Sequence, residues 1–429
     1  MDFIEACAEA KKIAFSFSDP LIVHHYDTDG ITSGAIVCAA FLENNKKFRR
    51  LCIKKLDDIA IDKLSHEKEI IFVDLGGGNK RVNELKDVVI LDHHQTTGIE
   101  KFQINPHLYG IDGSTEMSAS GVAYFVFKTK IELAITGAVG DMQAPFVGKN
   151  RELLDIGEKE GRVRREQDLC FYGRYSRPLV QFLEYNDEPY IPGISYREDK
   201  CINLLQSLRI EIKKGEKYRT YADLTKEEKK ALVSALADIL IERGKIKSIS
   251  ELIGESYVFT NHQLNESYEA GEFSTLLNAC GRHKRDDIGI GVALGNEKFF
   301  DEARKLLHHH RVMLKNGVEH ANTSLQNLGP FYLIDGREMI DESIIGIVCG
   351  MVNRSEWGKP VLGIARSEKG QLKASVRGKG KNLGLAIKKA AEKCGGVGGG
   401  HTVAAGASFP EKNLDDFILF FAEELNKQN

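Results

Sequence analysis

The chain has 429 residues, 42% of them hydrophobic, and a formal charge of −3. That length can bury two cores and implies two or three domains, while the ordinary composition excludes a disordered, collagenous or disulfide-stapled chain. Its eight cysteines include no Cys-x-x-Cys pair, no apolar run nears the length of a membrane span, and the first residues carry no basic leader. A soluble, cytoplasmic protein with free thiols and no membrane partner is therefore expected.

From about residue 3 to 150, short apolar runs alternate with helical patterns, the rhythm of a parallel α/β sheet covered on both faces. Leu21-Ile22-Val23 leads into His24-His25-Tyr26-Asp27-Thr28-Asp29-Gly30, and Thr32-Ser33 offers an N-cap for a helix from Gly34 to Leu42. Ile70 to Val73 leads into Asp74, Val88 to Leu91 into Asp92-His93-His94, and a fourth apolar stretch, Leu133 to Gly140, into Asp141. From about 150 to 265 the pattern turns helical and charged, with a capping box at Thr225 and Glu228, and reads as a solvated helical insertion. Phe299 to His320 reads as one long helix; consecutive histidines on a helix point in different directions, so His308-His309-His310 is not expected to form a metal site. Strands then recur at Phe331–Ile334, Pro360–Ala365 and Leu372–Ser375, with helices near Ile344–Arg354 and Leu383–Lys393, as in a separate α/β lobe.

The acids and histidines at the ends of these runs can meet, because open α/β sheets gather strand-end residues at one edge. His25, Asp27, Asp29, Asp74, His93 and Asp141 give four carboxylates and two imidazoles, a set that suits Mn²⁺ better than a structural zinc. Four clustered carboxylates repel one another unless cations neutralise them, and a pair of divalent ions is the usual device for phosphoester hydrolysis. Any one of Asp27, Asp74 or Asp141 could instead cap a helix; the convergence of all four segments favours metal.

These motifs, with Gly137-Ala138-Val139-Gly140-Asp141 as the fourth, resemble the DHH phosphoesterase superfamily. The resemblance implies that Asp74 bridges two ions. His25 and Asp27 would complete one shell, and Asp29, His93 and Asp141 the other; Asp92 would orient an imidazole and His94 would face substrate. Gly395-Gly396-Val397-Gly398-Gly399-Gly400-His401 resembles the GGGH signature of a DHHA1 substrate-binding domain, which implies phosphate contacts from Gly399, Gly400, His401, Ser375 and Arg377. Residues 359 to 389 carry Lys359, Arg366, Lys369, Lys373, Arg377, Lys379, Lys381, Lys388 and Lys389 against one acid, Glu368, a run expected to attract a polyanion.

Leu277-Asn278-Ala279-Cys280-Gly281-Arg282 resembles a RecJ-type exonuclease motif, which implies substrate roles for Asn278 and Arg282. Together the motifs are similar to RecJ-like nucleases of the short archaeal type that associates with the GINS replication complex. The implied layout is a DHH catalytic domain over residues 1–295 with an insertion at about 195–265, a connecting helix over 296–326 and a DHHA1 domain over 327–429. Substrate is expected between the catalytic and DHHA1 domains. Bacterial RecJ continues into an oligonucleotide-binding barrel, whereas this sequence ends some twenty residues after Gly406. The expected activity is exonucleolytic hydrolysis of single-stranded DNA or RNA with two divalent ions, Mn²⁺ first and Mg²⁺ or Co²⁺ as alternatives. The rival readings are a phosphodiesterase or phosphatase for short oligonucleotides or signalling dinucleotides, and a replication-complex scaffold. A dinucleotide site at Gly76-Gly77-Gly78 lacks the required glycine spacing.

Overall fold

The computed structural model describes residues 1–186, 189–263, 265–353 and 358–428; the expected helix end at Arg354, the side chain of Lys369, and Asn429 lie outside what it describes. Two units divide the chain, Met1–Leu307 and His308–Asn429. In the first, β1 (Leu21–His25), β2 (Arg49–Ile53), β3 (Glu69–Val73), β4 (Asp87–Leu91) and β5 (Phe102–Ile104) form a parallel sheet in the order β2-β1-β3-β4-β5. Alternation along β1 sends Ile22 into one core and Leu21 and Val23 into another, so both faces are covered. The larger core takes α1 (Phe3–Ser16), α2 (Thr28–Glu43), α4 (Ala119–Phe127) and α5 (Ile131–Gly140), while α3 (Asp58–Leu64) closes the other face.

Two expectations fail here. Helix α2 starts at Thr28, not Gly34: Asp27 accepts the Gly30 N–H at 3.0 Å and is the N-cap, whereas Thr32 and Ser33 are buried inside the helix. Leu133 to Gly140 is not a strand but the body of α5, with Asp141 as its C-cap. Gly137 and Gly140 lie three residues apart on one helical face, which an apolar-run reading overlooks. A Cβ on Gly137 would meet Ser120 Oγ at 2.1 Å and Asp29 Oδ1 at 2.5 Å, so α5 comes directly against the first turn of α2.

After α6 (Gly148–Lys159), two antiparallel strands, β6 (Val163–Leu169) and β9 (Ile253–Phe259), frame the insertion. Their polar sequences hide the alternation, and the sequence reading missed both. Within lie α7 (Leu179–Glu184), α8 (Glu198–Ser207), a hairpin of β7 (Lys213–Lys214) and β8 (Lys217–Tyr218), and α9 (Lys226–Glu242). The insertion is not merely solvated: Leu169, Phe182, Leu205, Tyr221 and the α9 stripe Leu232, Leu236 and Leu240 build a core of their own that runs to Leu252. It thus begins well before residue 195.

Helices α10 (Ala270–Arg282) and α11 (Asp286–Ala293) return to the main core, and α12 (Phe300–Ser324) crosses the division between the units. In the second unit, β10 (Gln326–Asn327), β11 (Tyr332–Asp335), β12 (Val361–Arg366), β13 (Gln371–Arg377), β14 (Val397–Gly400) and β15 (Ala404–Pro410) form a sheet in the order β10-β11-β12-β13-β15-β14. Helices α14 (Leu383–Lys393) and α15 (Leu414–Asn426) pack with one face through Leu362, Val376 and Phe409, and α13 (Ile345–Val352) covers part of the other. The glycine run is therefore a strand rather than an irregular loop: Gly398, Gly399 and Gly400 pair with Ala407, Gly406 and Ala405.

Gly281 of α10 abuts the β1–α2 loop so closely that a Cβ would lie 1.7 Å from Tyr26 O. Gly281→Ala is expected to destabilise the chain by about 1–3 kcal/mol, as overpacking of a tight contact does. At Gly399, by contrast, a Cβ meets nothing within 4 Å, and Gly399→Ala should change urea-unfolding stability by less than about 0.5 kcal/mol.

Candidate metal centre

The sheet delivers its site from the strand ends upward. His25 is the last residue of β1, Asp27 caps α2, and Asp29 sits in that helix's first turn. Asp74 follows β3 and Asp92-His93-His94 follows β4, while Asp141 arrives from the end of α5. Asp74 has φ +60°, a left-handed conformation that Asp tolerates better than most residues. All six expected ligands meet in two groups whose ligand atoms lie within 4.8 Å of one another: His25, Asp27 and Asp74, and Asp29, His93 and Asp141.

Asp74 stands between the groups. Its Oδ2 lies 3.3 Å from His25 Nδ1 and its Oδ1 3.3 Å from His93 Nε2. Asp27 Oδ2 is 2.8 Å from His25 Nδ1, and Asp29 Oδ2 is 3.9 Å from His93 Nε2. His25 Nδ1, Asp74 Oδ1 and His93 Nε2 are buried and complete no hydrogen bond. With the imidazoles neutral, such buried lone pairs converging without donors are costly, and divalent cations among them would satisfy these atoms. The residues present therefore fit a two-ion site of oxygen and nitrogen donors.

The surrounding shell is built mostly from main chain. The N–H groups of Ala119 and Ser120, at the start of α4, donate to Asp29 Oδ2 and Oδ1 at 2.7 and 3.0 Å. His93 Nδ1 donates to Gly113 O at 2.7 Å, which points Nε2 toward Asp74. Gln143 Nε2 donates both to that carbonyl, at 2.9 Å, and to Asp141 Oδ2, at 2.7 Å, while its own carbonyl accepts from Asn150 Nδ2 at 2.6 Å. Asp92 accepts from Gly77 N at 2.8 Å and from the His93 N–H at 2.8 Å, and its Oδ1 lies 2.8 Å from His94 Nδ1. The imidazole that Asp92 orients is thus His94's, and the glycine loop after Asp74 serves to hold Asp92.

The side chains alone balance these acids by keeping the imidazoles charged. Burial opposes the charge on His25, yet Asp27 and Asp74 push its pKa up to about 11. Burial likewise opposes ionisation of Asp74, but His25 and His93 hold it well below the usual carboxylate range. Asp29 is raised to about 7 by burial and by the charge of Asp74. Asp92 raises the pKa of His94, whose side chain is 57% exposed.

Beside the centre opens a cavity of 810 Å³ whose lining includes His25, Asp74, Asp92 and His94 together with Lys54, Lys55, Asp57 and Asp58. The sequence reading passed over these two lysines, because a pair of lysines after a strand carries no motif. Asn278 and Arg282 lie on α10, which packs against the β1–α2 loop at Gly281 and accepts from Thr28 Oγ1 through Ser274 O at 2.8 Å.

In the second unit, register places Ser375 beside Gly406 and Gly406 beside Gly399, with Arg377 beside Ala404 and the His401 N–H on Ala404 O at 2.8 Å. Ser375 and Arg377, two residues apart on β13, share a sheet face next to these small residues, and His401 is exposed at the adjoining turn. The N–H groups of Leu383 and Gly384 that open α14 are taken by Thr402 O and His401 O, so that helix start offers them to no anion. Several members of the basic run are ion-paired. Lys388 pairs with Glu392, Lys389 with Glu424 and Arg366 with Glu411.

Among the described residues, no helix is long and apolar enough to cross a membrane. Residues 20–144 match the DHH family N-terminal domain, 171–253 the DHH-CID domain and 329–427 the DHHA1 domain. An uncharacterized protein of Methanocaldococcus jannaschii is 29% identical over 458 residues, covering 99% of each chain. Among solved structures, exonuclease RecJ bound to manganese superposes with a TM-score of 0.62 at 15% identity, over 99% of this chain and 94% of that one. RecJ of Thermus thermophilus in complex with Mn²⁺ gives 0.63 at 16% identity over 99% of this chain, which spans 55% of that longer one. CDC45 of Entamoeba histolytica gives 0.68 at 11%, over 99% of this chain and 98% of that one. All six candidate ligands lie within the DHH match, the three domains follow one another along most of the sequence, and the chain belongs to the DHH/DHHA1 superfamily, with a RecJ-like fold.

Proposed function

We propose that the chain is a metal-dependent exonuclease that hydrolyses phosphodiester bonds of single-stranded DNA or RNA from one end, with two divalent ions, Mn²⁺ by preference. The observation that carries this reading is the placement of Asp74, one oxygen facing His25 and the other facing His93 at equal distances of 3.3 Å. His25, Asp27 and Asp74 would hold one ion and Asp29, His93, Asp141 and Asp74 the other. Bound ions supply charge neutralisation at phosphorus and lower the pKa of water.

The chain's own groups do the rest. His94 is fixed through Nδ1 by Asp92 and presents its other edge to solvent, so it can donate to a phosphoryl oxygen or to the departing hydroxyl. Lys54 and Lys55, which line the same cavity, would hold the phosphate or nucleotide next to the cleaved bond. Arg282, Ser375, Arg377, Gly399, Gly400 and His401 are the proposed contacts to the rest of the strand, and Asn278 joins them on α10. The insertion, with a core of its own, offers an exterior that the metal centre does not need and is the proposed docking surface for GINS; pull-downs with and without residues 171–253 test that role.

All six ligands are present, which argues against a pure scaffold. With Mn²⁺ and end-labelled single-stranded DNA and RNA of graded length, stepwise shortening of long strands is expected. Cleavage confined to the shortest oligomers would turn the reading toward an oligonucleotide phosphodiesterase. Asp74→Asn should lower nucleotide release at least about 10³-fold, a loss of several kcal/mol of transition-state stabilisation; undiminished release would contradict the mechanism.

Gln143 acts differently, by positioning Asp141 and the carbonyl that orients His93. Gln143→Leu should weaken Mn²⁺ binding about 10–100-fold by calorimetry while activity recovers at saturating Mn²⁺. Loss of kcat with unchanged affinity would remove Gln143 from this role.

A further inference from the structure

A second cluster of metal-ligating side chains lies on the opposite face of β1 from His25. His24 and Cys52 are paired neighbours on β1 and β2, and Asp286 opens α11. The ligand atoms of all three lie within 4.8 Å of one another. None of them serves the centre described above, whose donors are oxygen and nitrogen alone.

The imidazole of His24 makes this more than a chance grouping. It is wholly buried, and Nδ1 lies 2.8 Å from the carbonyl of His25, which can only accept, so Nδ1 carries the proton. Nε2 is then a bare lone pair, and among the described residues it has no hydrogen-bond partner. It faces Asp286 Oδ2 at 3.7 Å, a second acceptor. A buried lone pair facing a second acceptor is costly unless a cation lies between them. Arg50 Nη1 donates to the same Asp286 oxygen at 2.8 Å, which leaves a second lone pair on that atom.

We infer that His24, Cys52 and Asp286 form a separate binding site for a thiophilic divalent cation, zinc by chemical class. Tetrahedral zinc bonds of about 2.0–2.3 Å set ligand atoms roughly 3.3–3.8 Å apart, which the His24–Asp286 separation matches. A thiolate with an imidazole and a carboxylate selects zinc over the Mn²⁺ preferred by a set rich in carboxylates. Binding releases the Cys52 proton to solvent, and water completes the fourth position. The ring fits under α2 because Gly34 leaves room for it: a Cβ there would lie 3.1 Å from His24 Cγ. Cys52 is half-buried and Asp286 is 25% exposed, so an ion can reach the buried imidazole from their side. An occupied site would tie β1, β2 and α11 together one residue from His25.

Cobalt separates this site from the main centre, since only a thiolate ligand gives a sulfur-to-cobalt charge-transfer band and the main centre has no thiol. Titrating Co²⁺ into the full chain in the presence of Mn²⁺ should produce that band at one equivalent, and Zn²⁺ should bleach it. Cys52→Ser, folded by circular dichroism, should lose the band, while Asp27→Asn, which damages the main centre, should keep it. Absence of the band from the unaltered chain leaves only a thiol–imidazole contact and overturns the proposal. So does a band that survives Cys52→Ser or disappears in Asp27→Asn.

Discussion

Mutual repulsion among buried carboxylates is the constraint around which the first unit is organised. Asp29 and Asp74 are almost wholly buried, with Asp27 and Asp141 close by, and no arrangement of side chains alone makes that inexpensive. Each element that reaches the site reduces the cost. The first N–H groups of α4 lie on Asp29, Gln143 lies on Asp141, and the two oxygens of Asp74 each face an imidazole. Helix α5 contributes by having almost no side chain where it meets α2, since a Cβ at Gly137 would strike Asp29 itself. Packing and electrostatics are the same problem in this region.

Much of this was legible in the sequence, for a definite reason. Apolar runs ending in His25, Asp74 and Asp92 are continuous because both faces of the sheet are buried, and the end of such a run marks the edge where ligands gather. Asp141, an expected ligand, is carried by a helix: Leu133 to Gly140 is apolar enough to resemble a strand, while its helical signature lies in small residues. Asp27 was weighed as cap or ligand, yet its two oxygens divide the tasks: Oδ1 takes the Gly30 N–H and Oδ2 faces His25. The Gly113 carbonyl and Gln143 were illegible. One is main chain twenty residues from the histidine it orients, and the other is an uncharged side chain with no motif.

The second unit teaches a related lesson about glycine. Gly398 to Gly400 look like a flexible loop in one dimension and prove to be an edge strand paired with β15, while Ser375 is buried and lies with Arg377 against Gly346 of α13. Likewise the basic run has high local charge, but several of its members are paired with Glu392, Glu411 and Glu424, so charge density along a sequence overstates charge density on a surface. The insertion shows the converse. Its charged residues suggested solvent, while leucines at every fourth position of α9 supplied a core.

The two-ion mechanism stands or falls on whether Asp74 joins two ions. Anomalous diffraction from crystals of the chain grown with Mn²⁺ tests this directly. Two peaks about 3.5–4 Å apart are expected, one among His25, Asp27 and Asp74 and the other among Asp29, His93, Asp141 and Asp74. A single peak, or a pair in which Asp74 touches only one ion, would contradict it.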